Sequence, residues 1–420
     1  MCFRFIKFLL PVFLSAASQR LHAQDTLRIS LKDADSIFLA KNFQLLASSM
    51  NIEAQKAQII QAKLYPNPVL TTAVNAYDPE NKKPFHIGSN NGQAMVQLEQ
   101  LILLGGKRKS EIEIAQTNTA VAELEFQQLL RQLKFKLHTD LFTAGQQELL
   151  LQQYNMQLDL LQTLLVAYEA QAAKGNIPLK DVVRLKGAYL NLNNDRSEIV
   201  KNFHEAQSSL QTLLQTSSVI QFQFSEREVE KYIQQKTFDE LKSAALQNRP
   251  ELEISRQNKL LAEQYWQYQK RLAVPDITVT ASYDKNSGAF KNEVNTGISV
   301  PLPFWNRNQG NIRSAHIKIK EADYSQEAMQ AEVLSGLQNA HAVYTQTVSE
   351  YQKAKSLYNE DFEITVKGMT ENFQKRNVSI IEFIDFFETY NEVITELSRI
   401  KIQLITSGEQ LNLLTGKDIY

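Results

Sequence analysis

Carboxylates at two related turns are the residues most able to do chemistry in this chain. Asp181 lies in KGNIPLKDV (Lys174–Val182), and Glu382 lies in the related segment KRNVSIIEF (Lys375–Phe383), with Asp385 just beyond it. Glu382 and Asp385 are three residues apart, a spacing that puts them on one face of a helix. Their neighbours Ile380, Ile381, Phe383, Ile384, Phe386 and Phe387 are apolar. Acids so placed either complement the positive end of a helix start or, collected from several copies, form a ring that favours cations and resists anions. Lys180, Arg184, Lys375 and Arg376 stand beside them. They are candidates for ion pairs between neighbouring helices that hold such a ring closed. Exposed pairs contribute roughly 0–1 kcal/mol each, so a docking partner can release several together.

Other chemistry is poorly supported. The six histidines, His22, His86, His138, His204, His316 and His341, show no close pairing and no metal-ligand spacing. They read as surface or helix-packing residues, His22 leaving with the leader. The one cysteine, Cys2, lies in the first residues. No nucleophile set, phosphate loop, cofactor motif or metal cluster points to an enzyme. The 45 basic and 46 acidic residues nearly cancel, which gives no reason to expect a nucleic-acid partner.

The elements that position the acids follow from patterning. Residues 1–23 read as an export signal: Arg4 and Lys7, an apolar run at Phe8–Leu14, then small residues at Ser15–Ser18, with cleavage expected after Ala23. Beyond it there is no long apolar run, so a membrane segment would have to be a β-barrel.

The remaining chain repeats itself. Asn42–Tyr77 aligns with Arg249–Asp284, putting Leu45 on Leu252, Lys63 on Lys270 and Pro68 on Pro275. The two turn segments align at a similar offset, with Leu210 and Leu213 falling on Leu411 and Leu414. Each half reads helix, hairpin, very long helix, tight turn, helix. The expected units are 24–216 with a hairpin at 68–102, a linker at 217–240 and 241–420 with a hairpin at 275–302.

Four runs alternate at period two, among them Ala94, Val96 and Leu98; Ile277, Val279, Ala281 and Tyr283; and Val294, Thr296, Ile298 and Val300. Val69–Tyr77 is the fourth. Each approaches the roughly 9–11 residues of a tilted transmembrane strand. Uncharged polar residues between the apolar ones suit a lipid face and a wet lumen. Four strands cannot close a barrel, whose common minimum is about eight. Three copies would supply twelve strands and leave no free edge.

The stretches Lys109–Ala173 and Asn311–Gln374 lack proline, and each would make a helix roughly 95 Å long. Leu31–Lys63 and Leu179–Leu214 would each reach roughly half that. Two half-length helices end to end match one long helix, with an equatorial break near Ser217–Phe238. Leu149, Met156 and Leu160, and likewise Leu185, Leu192 and Ile199, recur near heptad spacing.

With these parts in place, the chain resembles the TolC family of outer-membrane efflux proteins. The passages QLILLGGKRKSEIEIA (Gln100–Ala115) and SVPLPFWNRNQGNIRSA (Ser299–Ala315) are similar to the post-strand motifs of that family, in particular its cobalt–zinc–cadmium and copper–silver branch. The resemblance implies a mainly α fold with a membrane β-barrel: a homotrimer, four strands per chain in a 12-stranded barrel in outer-membrane lipid, and a coiled-coil helical barrel crossing the periplasm. It implies a periplasmic adaptor (membrane fusion) protein and an inner-membrane pump of the resistance-nodulation-division type as partners. Glu382 and Asp385 fall on the acids that ring the family's periplasmic entrance. The turn residues Gly175, Asn176, Ile177 and Pro178, with Asn377, Val378 and Ser379, become candidate adaptor contacts. An exit duct for type I protein secretion is the alternative within the family. A periplasmic adaptor or structural coiled-coil protein is the rival of another class, but an adaptor should carry one hairpin flanked by small β-domains.

Overall fold

The computed structural model describes residues 25–88, 92–286, 290–358 and 360–420. The expected signal segment lies outside the described residues, as do parts of both strand-connecting loops. The order is β1 (Thr26–Ile29), α1 (Leu31–Lys41), α2 (Phe43–Ala62), β2 (Val69–Val74), β3 (Tyr77–Asp78), β4 (Lys83–Pro84) and β5 (Gln93–Ile102). Next come α3 (Lys107–Ala173), α4 (Leu179–Leu214), β6 (Val219–Phe222), α5 (Glu226–Glu230) and a 3-10 turn at Lys231–Ile233. The second half holds α6 (Phe238–Asn248), α7 (Pro250–Leu272), β7 (Ile277–Asn286), β8 (Phe290–Ser299), α8 (Gln309–Leu357), α9 (Glu360–Gln374) and α10 (Ile380–Thr415).

Strands β2, β5, β7 and β8 form one antiparallel sheet in that order. Its register sorts the side chains by face. Leu70, Leu98 and Ala281 are paired across three strands, as are Val96, Tyr283 and Val294. Gln97, Ser282 and Asn295 fall on the opposite face, with Glu99, Thr280 and Gly297. Val294 and Ile298 are 75% and 72% exposed. An apolar face this open to its surroundings is what a lipid-facing barrel wall requires. Among the described residues, β2 and β8 each pair on one side only. No described helix is long and apolar enough to cross a membrane.

The long helix α3 runs 67 residues, as its unbroken composition predicts, and is about 100 Å long. Three other expectations need correction. The helix expected over Leu31–Lys63 breaks at Asn42, which has extended backbone. Its side-chain oxygen caps Gln44 and Leu45, while its amide donates to the Leu213 carbonyl at 3.0 Å. A buried Asn thus replaces lost helical bonds with a tertiary one. The aligned residue Arg249 is also extended and separates α6 from α7, which starts on Pro250; proline suits a helix's first position. The helix expected over Asn311–Gln374 is interrupted too. Tyr358 leaves α8 with extended dihedrals and packs on the distal core.

The third correction concerns 217–240, expected as a linker. It contains β6, which pairs in parallel with β1, and a group of aromatic rings that build the equatorial core. Phe222 meets Phe142 of α3 edge-on at 5.1 Å. Two glycines admit these rings: a Cβ on Gly145 would lie 2.8 Å from Phe224, and one on Gly408 would overlap the Tyr232 ring. A second core fills the distal half between the hairpins α3–α4 and α9–α10. Leu185, Leu192 and Ile199 are buried there as the heptad spacing predicts, but on α3 the buried seam is Leu150, Tyr154, Leu158 and Leu161. Leu149 and Met156 point outward.

Candidate functional site at the hairpin turns

Both distal turns are built on one plan. In the first, Asn176 N donates to the Gln171 carbonyl at 3.0 Å, and its side chain donates to Gln171 Oε1 at 2.8 Å. In the second, Asn377 N donates to the Asn372 carbonyl at 2.9 Å, and its side chain donates to Asn372 Oδ1 at 3.3 Å. Gly175 and Arg376 occupy the same left-handed position, at φ 77° and 64°. Pro178 is then the N-cap of α4, and Ser379 that of α10.

The charges differ although the frame does not. Asp181 and Glu382 are equivalent, 201 residues apart, and so are Arg184 and Asp385. In the first turn Asp181 has its own counter-ion, with Arg184 at 4.0 Å. In the second turn the equivalent pair is two acids. Glu382 closes a capping box: Ser379 N donates to Glu382 Oε2 at 2.9 Å, and Glu382 N donates to Ser379 Oγ at 3.3 Å. Donation from the Ser379 backbone N–H, and then from its hydroxyl, holds the Glu382 carboxyl below its usual range, so it stays ionised at neutral pH. Asp385 is exposed, and its carboxylate makes no hydrogen bond or ion pair within the described residues.

Aromatic packing fixes the second turn against the first hairpin. Tyr168 stacks on Phe373 at 6.0 Å, Phe373 on Phe383 at 4.0 Å, and Phe387 follows at 4.5 Å. Ile380, Phe383 and Phe387 point into the core, whereas Ile381 is exposed. The apolar run after the turn is therefore amphipathic and leaves Glu382 and Asp385 on the open side.

Within one chain the basic candidates pair locally or not at all among the described residues. Arg184 pairs with Asp181 along α4, and Lys375, just past the end of α9, approaches Glu371 of that helix at 3.9 Å. Lys180 and Arg376 form no ion pair among the described residues. Within one chain, then, no ion pair involving these four basic residues crosses between helices. Lys186 with Glu169, at 2.8 Å, does join α3 to α4.

One charged group escaped sequence reasoning. His138, read as a surface or helix-packing residue, is buried at the equator between two carboxylates, Asp35 at 2.9 Å and Glu409 at 3.1 Å. Burial opposes its charge, but the bonds to Asp35 and Glu409 outweigh it and push the pKa up to about 9. Tyr232 also donates to Glu409, at 2.5 Å. The partners of His138 lie 103 and 271 residues away, so no local spacing announces them.

An antiparallel sheet with an apolar outer face, a pair of distal helical hairpins and an acid-marked turn define a membrane-seated conduit. The chain belongs to the outer membrane efflux protein family, whose family model matches residues 36–224 and 241–363, and is an outer-membrane efflux channel. It is 25% identical over 317 residues to the cobalt-zinc-cadmium resistance protein CzcC of Cupriavidus metallidurans, covering 74% of this chain and 71% of that one. Its fold is similar to that of a membrane protein from Pseudomonas aeruginosa, with a TM-score of 0.74, 14% identity and 92% of each chain covered. It is also similar to the channel CusC, with a TM-score of 0.70, 16% identity and 92% of each chain covered. The Neisseria gonorrhoeae MtrE outer membrane channel in its open state gives a TM-score of 0.71 at 14% identity, over 93% of this chain and 89% of that one.

Proposed function

We propose that the chain is the exit duct of a heavy-metal cation efflux system. Three copies close a 12-stranded barrel in outer-membrane lipid, with residues 24–216 and 241–420 as its two repeats. The hairpin turns at Gly175–Pro178 and Asn377–Ser379 meet a periplasmic adaptor, which joins the duct to an inner-membrane pump of the resistance-nodulation-division type. The observation that carries the cargo is the likeness to a cobalt-zinc-cadmium resistance protein along three quarters of the chain. The free edges of β2 and β8 support closure through further copies. Deleting the gene in its host is expected to increase sensitivity to cobalt, zinc or cadmium salts. Unchanged sensitivity to all three would sink the cargo assignment.

The turn acids form the entrance. Asp181, Glu382 and Asp385 from three copies bring nine carboxylates to the tips, three of them facing Arg184. A ring of this charge admits cations. Because Glu382 caps α10, alanine there would disturb folding as well as charge. Glu382→Gln with Asp385→Asn is the cleaner change, since Gln also serves in a capping box. In planar bilayers this variant is expected to lose cation preference. Identical conductance and selectivity would remove the acids from the entrance.

A further inference from the structure

The four connections between strands and helices carry a charge that the chain as a whole does not. Residues 63–68, 103–106, 273–276 and 300–308, with the one helical turn adjoining each, hold seven basic residues and one acid, whereas the whole chain has a net charge of −1. That acid, Asp276, is paired with Lys107 at 2.7 Å. Among the described residues, Lys63, Arg108, Lys270, Arg271 and Arg307 form no ion pair. The three guanidiniums each donate to a backbone carbonyl instead: Arg108 to Lys63 at 2.9 Å, Arg271 to Gly106 at 2.7 Å and Arg307 to Pro303 at 3.2 Å. A guanidinium has five N–H donors, so each keeps donors for an anion.

The helix dipole explains part of this charge and is opposed by the rest. Helices α2 and α7 end at these connections, where bases suit the dipole, but α3 and α8 begin there, where bases oppose it. Helix α3 nevertheless opens on Lys107, Arg108 and Lys109, with no acid in its first turn. Both starts also lack a side-chain cap: Gly106 and Asn308 are left-handed, at φ 76° and 60°, and neither supplies a capping bond. The strand register sets the helix-side ends of all four strands level, with Val69 opposite Glu99, Ile102 opposite Ile277 and Thr278 opposite Ser299. Two helix starts and five unpaired bases thus gather positive charge at one level, where the single acid is already taken.

The sheet decides what lies at that level. Ile298 stands on the apolar face opposite Val279, and the same alternation carries Val300, Leu302 and Phe304 off the end of β8. Pro301 and Pro303, between them, have no N–H to leave unpaired in lipid. Leu302 and Phe304 are each 66% exposed and Trp305 is 88% exposed, and Arg307 follows two residues on. At the connection after α2, Tyr65 is exposed as well and carries the Arg108 guanidinium over its ring at 4.0 Å. Open aromatic rings are unfavourable in a wet lumen, but they settle at the border of a bilayer, with bases at the level of the headgroups. The apolar face therefore continues off the sheet into a border of rings and bases.

We propose that this border binds the headgroups of anionic phospholipids, in the leaflet from which the helices emerge, with the guanidiniums on lipid phosphate. The proposal rests on the sheet being seated in outer-membrane lipid. It is tested on the full-length assembly carrying Trp266→Phe, which leaves Trp305 as the sole tryptophan. The protein is reconstituted into phosphatidylcholine vesicles that contain either brominated phosphatidylglycerol or brominated phosphatidylcholine. Both lipids are expected to quench Trp305, with phosphatidylglycerol preferred about fivefold at low salt, the effect of one base near a membrane surface. The preference is expected to decline as salt is added. Lys63→Gln with Arg307→Gln, at two exposed positions, is expected to lower it about twofold or more. The same charge change elsewhere, Lys201→Gln with Lys320→Gln, is expected to leave it unchanged. Protein that fails to float with the vesicles overturns the membrane seat and this site together. Protein that floats with Trp305 unquenched places that ring against a neighbouring copy and overturns the site alone. So does equal quenching by the two lipids, or a preference that the Lys63/Arg307 variant keeps in full.

Discussion

Arg376 occupies a backbone conformation that its own repeat partner fills with glycine. Left-handed dihedrals cost a residue with a Cβ roughly 1–2 kcal/mol, and the second turn carries that cost at φ 64°. Arg376→Gly is therefore expected to raise thermal stability by about 1 kcal/mol, read as an increase in melting temperature by circular dichroism. His138 makes the opposite kind of prediction. Its folded pKa of about 9 stands above its ordinary value of 6.5. Its stabilisation is thus complete below about pH 6.5 and is lost as pH rises towards 9. The melting temperature of wild type should fall across that window, and in His138→Leu that part of the pH dependence should vanish. At this scale the sequence shows where acids stand but not how they are satisfied. Glu382 and Asp385 look alike in a list of residues, yet one caps a helix and the other makes no bond among the described residues.

Among the elements, the period-two strands and the heptad seam of α4 were legible because each follows from local spacing. The breaks were not. Asn42 interrupts a stretch of good helix formers only because the Leu213 carbonyl, from a distant helix, accepts its amide. Nor does composition disclose that the segment at 217–240 is an aromatic wedge, since its rings acquire a role only against Gly145 and Gly408. Gly408→Ala places a methyl where the Tyr232 ring now lies, and overpacking of this kind costs about 1–3 kcal/mol. A lowered melting temperature, with relief when Tyr232→Leu is added, is the expected outcome. A melting temperature matching wild type in Gly408→Ala alone would mean that the wedge yields freely. Sequence did reveal the repeat itself, and the aligned breaks at Asn42 and Arg249 extend it to a feature that the alignment included without interpreting.

For the whole molecule, the strand register decides where lipid must lie. Val294 sits on the apolar face, paired with Tyr283. Val294→Arg there is expected to cost about 2–4 kcal/mol at mid-membrane depth. The heat-modifiable oligomer band from membrane extracts should weaken accordingly, whereas Asn295→Arg on the opposite face should leave it intact. Assembly is the level at which sequence says least directly, because no residue names its partner copy. It speaks only through a count of strands too small to close.

The exchange of Arg184 for Asp385 at equivalent positions has a consequence for symmetry. Three copies would present six hairpin tips of nearly one shape, a sixfold ring in outline. Their charge would repeat only three times: residues 174–184 hold three bases and one acid, residues 375–385 two bases and two acids, so basic and balanced tips would alternate. A partner offering six identical knobs would find two kinds of socket, one indifferent to its charge and one selective. Shape would then set how many partner copies fit, while charge would set which of them are gripped hardest.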